Sequence, residues 1–111
     1  MNEPIDLLKG TLDVLILRTL AGEPMHGYGI SQWIRGRTDV VVQVQDAAVY
    51  QALRRLEARV WLAAEWGISE NNRRARYYSL TAEGRAQLRA EASAWRRYAA
   101  AVFQVLDPGE A

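Results

Sequence analysis

The sequence contains no cysteine and a single histidine, His26. The first absence removes disulfide frameworks, thiol nucleophiles and cysteine-based zinc sites; the second rules out a histidine-rich metal cluster within one chain. There is almost no net charge: 14 Lys and Arg against 13 Asp and Glu leave +1. Composition alone therefore gives no licence for a nucleic-acid partner, and the placement of the charges has to make that case. No apolar run is long enough to cross a bilayer, because Arg18 and Glu23 bracket the best candidate. The opening residues carry Glu3 and Asp6 and lack the basic start of a secretory signal, so a cytoplasmic protein is expected. At 111 residues, half of them apolar, the chain fits one compact domain, or a domain with an appended oligomerisation helix. So short a chain buries a modest share of its surface, so part of its stability is expected from self-association.

What is present is strong periodicity. Leu12, Leu15, Ile16, Thr19 and Leu20 recur at spacings of three and four, which predicts a buried helix over Asp6–Ala21. Gly22-Glu23-Pro24 ends it. Gly27 to about Arg35 reads as a second, shorter helix with Ile30, Trp33 and Ile34 on one face; its two opening glycines point to close backbone approach, and Gly36 closes it. Val40–Gln45 is β-branched and predicts a short strand. Asp46 is the expected cap of a third helix, whose apolar back is Val49, Ala52, Leu53 and Leu56. Its front carries Gln51, Arg54, Arg55, Ala58 and Arg59. Trp61–Gly67 and Arg76–Leu80 read as a hairpin joined by a polar loop rich in asparagine and arginine. Thr81 caps a long final helix, Ala82 to Leu106. There Leu88, Ala92, Trp95, Ala99, Val102 and Leu106 alternate at four and three, the seam spacing of a coiled coil. The expected division is 1–80 for a winged helix-turn-helix domain, 81–106 for a dimerisation helix and 107–111 for a disordered tail.

Three helices followed by a basic hairpin describe the winged variant of helix-turn-helix, a mainly α fold with a small β-hairpin. A helix enters the major groove when one face is free of core duty and carries Arg, Gln or Asn to reach base edges. Gln51, Arg54, Arg55 and Arg59 meet that description. Asn71, Asn72, Arg73 and Arg74 on the hairpin suit the flanking backbone or minor groove. A solvated charged face is the alternative for these arginines. Glu57 and Glu70 oppose phosphate and are expected to pair with neighbouring arginines. Tyr28 and Tyr50, near helix starts, suit phosphate contact or core packing with the hydroxyl satisfied. His26 has no catalytic partner and reads as a packing residue at the helix start, with a sensing role as the alternative. Trp33 and Trp61 read as core or hairpin packing.

The runs Leu8-Lys9-Gly10-Thr11-Leu12-Asp13 and Pro24-Met25-His26-Gly27-Tyr28-Gly29-Ile30 resemble the opening of PadR-family regulators. Val49–Glu57 is similar to their recognition helix. Trp66-Gly67, Glu70–Tyr78 and Leu80-Thr81-Ala82-Glu83-Gly84 are similar to their wing and the start of their last helix. The resemblance spans nearly the whole chain. It implies a repressor that dimerises through its C-terminal helix, as short members of the family do. The interface would be Leu12, Leu88, Ala92, Trp95, Ala99, Val102 and Leu106. It also implies effector binding near that interface, where Trp95 either packs the dimer or, with its counterpart, lines a slot for a small aromatic ligand.

One stretch departs from the pattern. Ala47-Ala48-Val49-Tyr50-Gln51 stands where the family usually reads Gly-Ser-Leu-Tyr-Pro, and Val60 where it usually has Gly. With serine gone and Asp46 as cap, position 51 lies too deep in the helix for proline, and Gln51 fits. A left-handed cap at Val60 would strain a β-branched residue by roughly 1–2 kcal/mol.

Three classes compete. The first is a dimeric DNA-binding repressor on a roughly palindromic site. The second is a dimerisation or partner-docking module with weakened DNA binding, motivated by the altered Ala47–Gln51 stretch and the near-neutral charge. An enzyme is disfavoured: there is no nucleophile–base pair, phosphate-cradling glycine loop or metal-ligand cluster, and neither cofactor nor metal is expected.

Overall fold

The computed structural model describes residues 10–107 and 109. The expected first turn of the first helix (6–9), and residues 108, 110 and 111 of the expected tail, lie outside them. The order is α1 (Thr11–Gly22), β1 (Met25–His26), α2 (Gly27–Arg37), α3 (Asp46–Ala58), β2 (Leu62–Ile68), β3 (Arg74–Leu80) and α4 (Ala82–Leu106). This is a winged helix-turn-helix with a long C-terminal helix. No helix among the described residues is long and apolar enough to cross a membrane.

The core is assembled from the stripes that the periodicity marks. Ile16, Leu17 and Leu20 of α1, Ile30 and Ile34 of α2, and Val49, Ala52, Leu53 and Leu56 of α3 meet Leu62 and Tyr78 of the sheet, all buried. Trp33 and Trp61 are half-buried against this cluster, as packing residues. The buried hydroxyls of Thr19 and Ser31 donate to the carbonyls of Leu15 and Gly27, so neither is left unpaired.

The strand expected over Val40–Gln45 is not there. Only Val42 makes a single bridge; Asp39 and Val40 adopt left-handed backbone, and Val44 plugs the core from a loop. β-branched residues favour a pleated surface only where a neighbouring strand offers hydrogen bonds. That neighbour is taken: the sheet runs β1-β3-β2, with Met25 and His26 pairing Tyr78 and Tyr77. The α2 helix runs through Gly36 to Arg37, because Thr38 and not glycine closes it, its backbone N–H reaching Gly36 O and Ile34 O. The cap of α3 is Gln45, one residue before the expected Asp46, which is the first helical residue. There its carboxylate favours the positive helix end and lies 3.7 Å from Arg35.

The hairpin is longer than expected, with β2 and β3 in register from Leu62↔Leu80 to Ile68↔Arg74. Ser69 N–H donates to Arg73 O at 2.8 Å and Asn72 N–H to Ser69 O at 2.9 Å. Asn72 is left-handed at φ 58°, the geometry of a three-residue hairpin loop. At the other end Thr81 caps α4 as expected, accepting from Gly84 N–H at 2.9 Å. A Cβ on Gly84 would collide with the backbone carbonyl of Trp61, so α4 crosses the base of the wing where no side chain fits. Val60 is left-handed at φ 65°, the strained position expected of it.

Candidate nucleic-acid interface

Helix α3 has three lateral surfaces. Val49, Ala52, Leu53 and Leu56 face the core, while Tyr50, Gln51, Arg54, Arg55 and Ala58 are exposed. One edge meets the wing, where Arg76 donates to Glu57 at 2.7 Å. The opposite edge meets α1, where Arg55 Nη2 donates to Asp13 Oδ1 at 2.6 Å. Between those ion pairs lies the open face with Gln51 and Arg54, the latter one turn beyond Tyr50.

Between the starts of α2 and α3 and the wing runs a groove of about 440 Å³. Tyr28, Tyr50, Arg73 and Arg74 all line it, so these four of the residues singled out in the sequence open onto one side, whereas Gln51, Arg54, Arg55, Arg59 and Asn72 are not among its lining. Tyr50 packs on Gly27: a Cβ there would clash with Cε1 of the tyrosine ring, so the absence of a side chain lets the ring sit this close to the start of α2. Tyr28 is exposed, its hydroxyl accepting from Gln32 at 2.7 Å, and Tyr50 is exposed too; neither ring is a core residue.

His26 fastens the back of this groove. Its Nδ1 accepts from Gly29 N–H at 3.0 Å, capping α2, while Nε2 faces Glu70 at 3.5 Å and the ring meets Tyr77 edge-on. An accepting Nδ1 places the ring hydrogen on Nε2, toward the wing. Glu70 thus pairs with His26 and not with a neighbouring arginine, whereas Glu57 finds the arginine expected of it.

Two expected contacts are engaged elsewhere. Arg55 is held by Asp13, and Arg59, at the far end of α3, lies over the Trp61 ring at 5.2 Å. Among the described residues Arg54, Arg73 and Arg74 make no ion pair. This accounting reconciles a near-neutral chain with a locally positive surface. Asn72 spends its backbone N–H on the wing turn. One residue the sequence reading left unassigned stands out: Trp66 is 56% exposed in the groove, with the Arg74 guanidinium 4.4 Å from its ring centre. Alternation along β2 could have put Trp66 on the face of Ala64 and Ile68, but not that face toward α3.

Similarity to known proteins accords with this geometry. The sequence pattern of the transcriptional regulator PadR-like family matches residues 16–90. The chain belongs to that family. A Lysinibacillus sphaericus protein is 32% identical over 102 residues, covering 92% of this chain and 90% of that one. A transcriptional regulator from Clostridium thermocellum superposes with a TM-score of 0.78 at 28% identity, over 86% of this chain and 90% of the other. Bacillus subtilis PadR in complex with operator DNA shares the fold, with a TM-score of 0.66 at 19% identity over 75% of this chain and 47% of that one. PadR-like proteins are DNA-binding transcriptional regulators and not enzymes, and this chain is one of them.

The PadR-like C-terminal helix divides into two halves. Leu12 and Leu88, expected at a dimer interface, are half-buried against the core of their own chain. Ala92 and Ala99 are half-buried as well, while Trp95, Val102 and Leu106 are exposed. So are Tyr98, Phe103 and Val105, which the seam spacing passed over. Trp95 and Tyr98 meet edge-on at 6.3 Å and border a second groove of about 550 Å³, walled on the other side by Gly10, Thr11 and Val14. The Thr11 hydroxyl is buried with no hydrogen-bond partner among the described residues.

Proposed function

We propose that the protein is a dimeric repressor that binds a roughly palindromic operator, with α3 in the major groove and the wing on the flanking backbone or minor groove. The observation that carries this reading is that the starts of α2 and α3 and the wing open onto one groove, lined by Tyr28, Tyr50, Arg73 and Arg74, with Gln51 and Arg54 exposed on the same helix as Tyr50. Gln51 and Arg54 reach base edges; Tyr28, Tyr50, Asn72, Arg73 and Arg74 hold phosphates. Residues 1–80 form the DNA-binding domain and 81–106 the dimerisation helix. In the dimer two α3 helices meet successive major grooves about 34 Å apart. The operator-bound Bacillus subtilis PadR supports this mode of binding. The apolar distal half of α4 supports a second copy as the partner, through Trp95, Ala99, Val102 and Leu106.

A small aromatic effector that releases the operator would lie in the groove beside Trp95. Two aromatic rings and a buried hydroxyl without a partner among the described residues suit a flat ligand with one polar group.

Gel-shift titration against the duplex that the protein selects from a random pool tests the DNA contacts. Arg54→Ala and Arg73→Ala are each expected to weaken binding by roughly 5- to 100-fold with unchanged melting temperature. Arg73→Ala should also flatten the salt dependence by about 0.9 in slope. Equal binding by wild type and both variants would sink the assignment.

A further inference from the structure

Arg54 and Arg55 are neighbours in sequence but have different fates. About 100° of helix rotation separates them, and only Arg55 falls on the edge that faces α1. There Asp13 Oδ1 accepts its guanidinium at 2.6 Å. We propose that Asp13 sets the affinity of the protein for DNA by withholding Arg55 from the duplex.

The pair sits at a rim, with the Asp13 side chain 26% and the Arg55 side chain 55% exposed. A half-exposed ion pair is weakly favourable, so an approaching phosphate competes for the same guanidinium. The two partners differ in freedom. Asp13 is on the first turn of α1, and Val14, Ile16 and Leu17 beside it are buried, so its carboxylate cannot follow Arg55 outward. Arg55 has a long stem on an exposed position one turn beyond Gln51. Reaching a phosphate therefore means leaving Asp13, and the abandoned carboxylate then faces the edge of the duplex unpaired. Both effects lower affinity below what the arginines of α3 would otherwise provide. Thr11 and Val14 flank Asp13 and line the Trp95 groove, so the carboxylate moves with that wall.

The experiment measures anisotropy of the selected duplex at several salt concentrations, together with thermal melting. Asp13→Asn is expected to bind roughly three- to tenfold more tightly, with a salt slope steeper by about 0.9 for one added phosphate contact. Arg55→Gln alone, which removes no phosphate contact but leaves the Asp13 carboxylate unpaired at the edge of the duplex, should weaken binding by no more than about threefold. The double variant should lose the whole gain of Asp13→Asn, which a merely structural role for Asp13 would not produce. Unchanged or weaker binding by Asp13→Asn at wild-type melting temperature overturns the proposal. So does a large loss on Arg55→Gln alone, a measurement that stands even if Asp13→Asn fails to fold. The inference rests on the DNA-binding reading: no wild-type complex overturns both, whereas a wild-type complex unresponsive to Asp13→Asn overturns this one alone.

Discussion

The wing side of the molecule and the distal half of α4 are built on opposite terms. Around α3 and the wing many polar groups are matched within the chain: His26 to Gly29 and Glu70, Glu57 to Arg76, Asp13 to Arg55, Thr81 to Gly84. From Trp95 onward α4 carries exposed Tyr98, Val102, Phe103, Val105 and Leu106, which no element among the described residues covers. One region is closed within a single copy; the other is left open, and the proposed partner for it is a second copy. On the proposed reading, the surface that contacts DNA and the surface that pairs two copies are separate.

The largest expected effect comes from breaking the unfinished side. Val102→Asp with Leu106→Asp should yield a monomer in sedimentation and lower operator affinity by roughly 100-fold or more, as the second half-site loses its tether. The wing side would keep its fold. Next is Gly84→Ala, aimed at the finished side. The new Cβ meets the Trp61 carbonyl, which cannot swing away as a side chain would, so a loss of roughly 1–3 kcal/mol is expected in denaturant unfolding. Smallest is a gain. Val60→Gly removes left-handed strain from a residue that is 59% exposed and buries little, so stability should rise by about 1 kcal/mol with operator affinity unchanged. A melting temperature that stays put would show that the junction of α3 and β2 stores no strain.

These residues also show how far a linear reading reaches. Val60 was legible only through the resemblance, because it stands where the PadR family usually has the glycine that a left-handed helix end favours. Thr81 was legible as a cap because the N–H that donates to it lies three residues away. His26 was not: capping by an imidazole Nδ1 leaves no compositional mark, and its other nitrogen meets Glu70 only once the hairpin has folded back. The two-residue β1 is too short to show a period. Val40–Gln45 showed one without the neighbouring strand that would make it matter. Trp95 was legible as a seam residue, yet Tyr98, its edge-on partner three positions later, falls outside a strict four-three spacing.

By itself the sequence determined the helices, the hairpin and the cap at Thr81, because each depends on interactions among residues a few positions apart. Only the tertiary structure decided which arginines remain available to DNA. Asp13 and Arg55 are 42 positions apart, and Glu57 and Arg76 are 19 apart. Those carboxylates reach their guanidiniums only because α1 and the wing pack against opposite edges of α3. Charge can be counted along a chain, but which charges cancel is settled by what the fold brings within about 3 Å.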